Sequence, residues 1–343
     1  PNKIGKGNAS FVDSDLPRET EAADGTNLID SRSITPWNIR KTQILQSFTT
    51  TGTIQMPSFI SAEVAKAARG GNTLKARVDA IDEGDDEVSM VRYNAREYVQ
   101  NMAEMNEELA RAWNKEERVK ALKMAIQCAK LLGDASTPQF YPSLFVLVTE
   151  ILDTFGRLVF ERIKQKGLTA AGQKKKKVED FGPSDVTEEA RETCKNWFYK
   201  VASIRELIPR VYMEMAIIRC YQFLYGYGEF ETTLRRIAFM LRGMADPLAS
   251  TYARAYLVRR AEEINPTLIP PLMDCCQDSG SMLHVLHSPY WTARIAAHKT
   301  EVEAYAQLLS PAIDFQLQAL GHHGGRAACI DALKLYTSLC KAA

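Results

Sequence analysis

The residues best suited to metal chemistry in this sequence are two adjacent cysteines followed by two histidines. Cys275 and Cys276 precede His284 and His287, whose imidazoles stand three positions apart. Two thiolates and two imidazoles are a ligand set that Zn²⁺ takes in tetrahedral sites. The side chains of adjacent cysteines diverge, which disfavours joint binding of one ion. The spacing therefore favours helix-end thiols and surface histidines, with a Cys/His metal site as the lesser alternative.

Motifs for catalysis or nucleotide binding do not occur in a usable context. The chain has no G-x-x-x-x-G-K-[ST] or G-x-G-x-x-G loop after a strand, no G-x-S-x-G elbow, no H-E-x-x-H and no C-x-x-C. A cysteine nucleophile needs a low pKa and a nearby base, and no feature of the sequence specifies them. The sequence therefore predicts a protein that is not an enzyme, with no catalytic residue, bound metal or cofactor.

Composition and charge narrow the class of protein. The 343 residues include 43 Lys and Arg against 42 Asp and Glu, a net charge of +1, which argues against a general nucleic-acid binder. Hydrophobic residues at 45% and charged residues at 25% are typical of a folded protein. The longest apolar stretch, Leu144 to Phe160, is interrupted by Glu150, Asp153 and Arg157, so we expect no bilayer-spanning segment.

The cysteines and the chain start indicate the compartment. Seven cysteines, an odd number scattered mostly through apolar stretches, do not form a disulfide framework and predict a reduced, intracellular protein. The sequence begins with Pro1 and shows no signal peptide, so we expect a processed or truncated piece.

Residues 1–90 differ from the rest of the chain. They are rich in Ser, Thr, Gly and Asn and show little periodicity, which predicts a largely disordered N-terminal arm. Apolar spots at Trp37, Ile44-Leu45 and Phe48 are spaced as if part of the arm docks on the body. A plain solvated tail is the open alternative.

Helical periodicity governs residues 91–343. Apolar side chains recur at intervals of three or four in one stripe over Tyr98–Trp113 and in another over Ala190–Ile208. No run of alternating β-branched residues follows Arg92, so we expect an all-α body. Prolines stand where new helices would begin. These prolines are Pro142, Pro209, Pro247 and Pro311.

The connections between these helices are short, apart from an exposed loop over residues 164–183 that contains the Lys174–Lys177 run. Short links make sequential helices pack antiparallel. The body is therefore predicted to be an α-solenoid of HEAT-like antiparallel helix pairs, with a closed bundle as the alternative because no fixed repeat period is visible. The lysine run is read as a solvated loop.

Two clusters place interface-type residues at helix corners. In the first, Arg210, Tyr212 and Glu214 follow a break at Pro209. The second runs Arg242-Gly243-Met244-Ala245-Asp246-Pro247-Leu248 and continues with Tyr252-Ala253-Arg254-Ala255-Tyr256-Leu257. Arginine and tyrosine are favoured anchors in protein interfaces. Ordinary inter-helix corners with solvent-facing charge remain the alternative from pattern alone.

These clusters carry a family resemblance. The first resembles the Pro-Arg-x-Tyr signature of the large solenoid subunit of retromer and of its retriever relative, and the second is similar to the stretch that follows it. Four further runs make the resemblance to the retriever subunit the closer one. The resemblance covers Thr35 to Asn265, fades after that, and returns at residues 310–314. These runs are Val119–Lys123, Ile126–Leu132, Gln139–Ser143 and Ile151–Gly156.

The resemblance implies a non-enzymatic scaffold of a heterotrimeric endosomal cargo-recycling coat. It implies that an arrestin-like subunit binds at the corner and that the arm folds back along the scaffold through Trp37 and Phe48. The implied corner residues are Pro209, Arg210, Tyr212, Glu214, Arg242, Asp246, Pro247 and Leu248.

The resemblance also implies further partners and a location. A metallophosphoesterase-like subunit binds the far end of the family's solenoid, and that half is expected to be missing here because the family's chain is longer. A sorting nexin and a coiled-coil and copper-metabolism-domain assembly are the other implied partners. The implied location is cytoplasmic, peripheral on endosomes through these partners. A retromer-type large subunit remains the alternative.

Overall fold

The computed structural model describes residues 35–49, 53–57, 90–167, 182–225 and 227–342. The helices and strands, in chain order, are α1 Trp37–Phe48, β1 Thr53–Pro57, β2 Met90–Asn94, α2 Ala95–Asn114, α3 Arg118–Leu131, α4 Tyr141–Gly167, α5 Glu188–Ala202, α6 Leu207–Ile217, α7 Gln222–Tyr225, α8 Phe230–Leu241, α9 Pro247–Ile264, α10 Ile269–Val285, α11 Pro289–Ala297 and α12 Val302–Ala342. Short 3₁₀ turns occupy Pro138–Phe140, Pro183–Asp185, Ile218–Tyr221 and Tyr227–Glu229. Most of the expected disordered arm and the Lys174–Lys177 run lie outside the described residues.

Local signals explain how α2 begins and which face it buries. Asn94 accepts a hydrogen bond from the backbone N–H of Glu97 at 2.9 Å, and the Glu97 carboxylate accepts one from the Asn94 N–H at 3.2 Å. The apolar stripe that begins at Tyr98 is buried along its whole length. At its end, Trp113 stacks on Trp197 of α5 at 5.7 Å between ring centroids. Each such side chain contributes about 1.5–3 kcal/mol by leaving water.

The helices pack against their sequence neighbours and then against the next helices along the chain. α2 and α3 pack on α4, α3 and α4 on α6, α6 and α8 on α9, and α9 and α10 on α12. Nearly every residue of α9 is buried, as expected of a helix enclosed on all sides within the stack. The described part of the chain confirms the expected all-α solenoid.

A two-stranded sheet is the exception to the all-α prediction. β1 pairs antiparallel with β2, with Thr53 opposite Asn94 and Pro57 opposite Met90. The strands are five residues each and far apart in the sequence, so neither shows the longer alternation that identifies a strand locally. The pairing places β1 beside the start of α2.

Three predicted boundaries were wrong. The Ala190–Ile208 stripe is two helices, because α5 ends at Ala202 and α6 begins at Leu207. Pro311 lies inside α12 and does not start a helix; α12 is instead interrupted at Gly325, whose positive φ of 64° favours glycine. The expected loop at 164–183 begins later, since α4 continues to Gly167.

Within the described residues, the helices are all too short or too polar to cross a membrane.

Candidate docking corner

Three turns of the stack meet at one edge and form what we call the helix corner: residues 130–134, 203–210 and 242–247. Leu207 lies against the second cluster, since a β-carbon added at Gly243 would stand 2.9 Å from its Cδ2 atom. Ile208 similarly approaches Gly133, where an added β-carbon would lie 3.3 Å from its Cδ1 atom. Lys130 pairs with Glu206 at 2.6 Å. The structure thus brings together the two clusters that the sequence singled out.

Arg210 is the residue of the first cluster that stays available at the surface. It follows Pro209, which occupies the first turn of α6, where a backbone N–H has no partner within the helix. The Arg210 side chain is half-buried: its Nε atom is buried without a hydrogen-bond partner, and the rest of the side chain reaches the surface. No carboxylate in the described part of the chain forms an ion pair with it, so its charge is free to meet a partner.

Tyr212 lies in the core, which corrects its predicted role as a surface contact. It is fully buried, and its ring is 5.5 Å from that of Tyr256 on α9. Burial raises the pKa of its hydroxyl well above the usual range. Tyr212 therefore joins α6 to α9 and supports the corner from inside.

Glu214 is also engaged within the chain. Its carboxylate forms an ion pair with Arg236 of α8 and accepts a hydrogen bond from the Tyr221 hydroxyl at 3.0 Å. Only 9% of the Glu214 side chain is exposed. These contacts leave it little surface for a partner, contrary to the prediction.

The second cluster divides into a helix start and one exposed cation. Asp246 caps α9 by accepting a hydrogen bond from the Ala249 N–H at 3.1 Å, and Pro247 takes the first helical position. Pro247 and Leu248 are buried, so both belong to the core and not to the predicted contact surface. Arg242 is exposed and pairs with Asp278 of α10 at 2.9 Å.

Arg254, in the continuation of the second cluster, is a buried arginine that was not among the predicted contact residues. Arg254 of α9 is 1% exposed, donates to the Ser250 carbonyl at 3.0 Å and lies 3.6 Å from Asp278. Asp278 of α10 thereby links the turn that follows α8 to α9. The sequence drew attention to Arg254 as an arginine flanked by Ala253 and Ala255, but it did not show that the side chain is buried.

The arm helix α1 lies on the body. The Trp37 ring packs edge-on against Phe145 at 6.1 Å and Phe315 at 5.8 Å, and the Arg259 guanidinium sits 4.6 Å from its centroid. Arg40 donates to the Gln318 side chain at 2.6 Å. Phe48, at the other end of α1, is partly buried against the core. These contacts join α1 to α4, α9 and α12.

The cysteine and histidine candidates are not brought together. Cys275 and Cys276 are buried in α10, and burial raises the pKa of the Cys276 thiol to about 12. His284 and His287 are exposed. Among the residues that the structure describes, no three His, Cys, Asp or Glu side chains form a group able to hold a metal. The metal-site alternative therefore has no support in the geometry.

The stacked helices, with turns exposed together at one edge, define the fold as an α-solenoid. Proteins of this class use their extended surfaces to bind other proteins. Within this class, the family model described as VPS35L matches residues 36–308. The chain belongs to the VPS35L family.

Relatives in distant organisms agree with this assignment. The "VPS35 endosomal protein-sorting factor-like" protein of Danio rerio is 38% identical over 294 residues, which are 84% of this chain and 30% of that protein. Its Homo sapiens counterpart is 36% identical over 319 residues, 91% of this chain and 33% of that protein. The "VPS35 endosomal protein sorting factor-like" protein of Dictyostelium discoideum is 34% identical over 316 residues, 91% and 31% of the two chains.

These matches favour the retriever-type subunit over the retromer-type alternative. The chain spans about a third of the length of the relatives it matches.

Proposed function

We propose that this chain is a non-enzymatic scaffold in endosomal protein sorting, with the helix corner as the docking surface for an arrestin-like subunit. The relatives carry protein-sorting names, which supports the general role. The observation that carries the docking proposal is the meeting of three turns at one edge, with Arg210 and Arg242 accessible there.

The accessible part of the corner combines cations with a small apolar area. Leu207 and Ile208 are half-exposed between Arg210 and Arg242. Arg242 is already paired with Asp278, whereas Arg210 forms no ion pair with the described residues. A partner that fits this surface places an apolar side chain on Leu207 and Ile208 and a carboxylate near Arg210.

The test is a quantitative pull-down of the arrestin-like subunit by Arg210→Ala and by the Arg210→Ala, Arg242→Ala double variant. If these arginines anchor the interface, the single variant weakens binding about tenfold, equivalent to about 1.4 kcal/mol, and the double variant weakens it further. Arg96→Ala is the matched control, because Arg96 is an exposed arginine on α2, away from the corner. Binding by the double variant at the wild-type level would reject the corner.

Tyr212→Ala is unsuitable as a docking test. Removing a fully buried aromatic ring costs about 3–5 kcal/mol of folding stability, so lost binding would report misfolding. The arginine variants should keep the wild-type melting temperature by circular dichroism, because Arg242 is exposed and Arg210 is only half-buried. Weaker binding by these variants would then report docking and not misfolding.

The remaining partners are carried over from the family resemblance. They are a metallophosphoesterase-like subunit, a sorting nexin, and a coiled-coil and copper-metabolism-domain assembly. We also propose that the protein is cytoplasmic and reaches endosomes through these partners. Co-purification from cells with the arrestin-like subunit of retriever, in preference to that of retromer, is the expected outcome.

A further inference from the structure

A cleft of about 500 Å³ lies beside the arm helix. Its walls come from α1, α4, the 218–221 turn and the end of α9. None of the helix-corner residues lines it. Its volume is within the range of about 300–1,000 Å³ that small-molecule sites occupy. The cleft is therefore large enough for a ligand and separate from the proposed docking surface.

The carboxylates in this cleft already have cationic partners. Each of the four acidic lining residues lies within ion-pair distance of a lysine or arginine. The pairs are Glu150 with Lys41 at 2.7 Å, Asp153 with Arg259 at 2.7 Å, Glu161 with Lys164 at 3.9 Å, and Glu263 with Arg260. The Tyr256 hydroxyl also donates to Asp153 at 3.0 Å. The negative charge of the cleft is neutralised from within the chain.

Two of the cationic residues that line the cleft take no part in these ion pairs. Arg157 is exposed and Arg219 is half-buried, and neither forms an ion pair with any residue in the described ranges. The Arg219 guanidinium rests 4.6 Å from the centroid of the Phe160 ring. Phe160 follows Arg157 by three positions on α4, so the two guanidinium groups share one side of that helix. Two like charges in one cleft repel each other, and an anion between them removes that repulsion.

We propose that this cleft binds a small ligand that carries a phosphate group, held by Arg157 and Arg219. Guanidinium groups bind phosphate oxygens in a bidentate manner, and the two negative charges of a phosphate monoester match the two free cations. The rest of the ligand lies beside the Trp37 ring, which forms the α1 side of the cleft. Because α1 and α4 both contribute walls, the bound ligand also holds the arm helix on the body.

Isothermal titration calorimetry on the full chain tests this with inorganic phosphate, glucose 6-phosphate and unmodified glucose as probes. We expect the two phosphates to bind at millimolar or lower concentration, glucose not to bind, and affinity to fall with added salt. Arg157→Gln and Arg219→Gln should each weaken binding about tenfold or more. Arg96→Gln removes the same charge from α2 and should leave affinity unchanged.

Hydrogen exchange supplies a second measurement that does not depend on heat signals. Glucose 6-phosphate should slow amide exchange in α1 of the wild-type chain and leave exchange unchanged in the Arg157→Gln, Arg219→Gln double variant. The proposal is overturned by lack of phosphate binding or by equal phosphate binding in the double variant. These results are independent of docking at the helix corner, since the two surfaces share no residue.

Discussion

Replacing Gly156 with alanine should force α6 away from α4. A β-carbon at this position would stand 2.0 Å from the carbonyl oxygen of Ala216 and 2.8 Å from its carbonyl carbon, whereas ordinary contact begins near 3.4 Å. The helices must then separate by about 1.4 Å, the difference between 3.4 Å and 2.0 Å. Overpacking costs about 1–3 kcal/mol, and the upper end applies because backbone cannot rotate away. The better helix propensity of alanine returns about 1 kcal/mol, so we expect a net loss of about 2 kcal/mol.

Urea unfolding followed by circular dichroism measures this loss. Gly228→Ala is the matched control, because a β-carbon at Gly228 would have no atom within 4 Å. Since α6 carries Arg210, the displaced helix should also weaken binding of the arrestin-like subunit. Equal unfolding midpoints for the two alanine variants would refute the close approach of α4 and α6.

Two further predictions concern the arm helix and a half-buried carboxyl group. Trp37→Ala removes the half-buried ring that packs on Phe315, so amide exchange in α1 should accelerate by an amount equivalent to about 2 kcal/mol. Asn38→Ala, which changes an exposed side chain of the same helix, should leave the exchange rate unchanged. Equal exchange rates in the two variants would contradict the packing of Trp37. Burial raises the pKa of Glu262, whose carboxylate lies 2.9 Å from Nε2 of His323, from 4.5 to about 7. The folded chain thus holds this proton more tightly than the unfolded chain. The stabilisation from this bound proton is complete below pH 4.5 and is lost as the pH approaches 7. The free energy of unfolding of the wild type should therefore fall relative to that of Glu262→Gln over this range. A difference in urea midpoints that does not change with pH would contradict the prediction.

Periodicity predicted α2 well because its information is local. The stripe from Tyr98 to Trp113 is one uninterrupted helix, and its buried face is the predicted one. The same method failed between Ala202 and Leu207, because the apolar positions continue in phase across the break. Pro311 gave the opposite error: a proline is typical of a helix start, yet α12 continues through this residue.

The structure places the two clusters beside each other, but the directions of their side chains differ from those expected from the sequence. Both clusters proved to be neighbours, yet Tyr212 and Leu248 point into the core and Arg210 and Arg242 do not. Residue types alone could not separate these groups, since the direction of a side chain depends on where α6 and α9 cross. The sequence indicated that Trp37 docks on the body, but it could not identify Phe315 as the partner, because the two residues lie far apart in the chain.

The corner brings together three turns that are far apart in the sequence, so the distances between them depend on how the helices stack. Bending the solenoid changes these distances. A protein that binds all three turns at once therefore fixes these distances and makes this part of the solenoid more rigid. Because such coupling is reciprocal, a force that bends the solenoid changes the affinity for the bound protein.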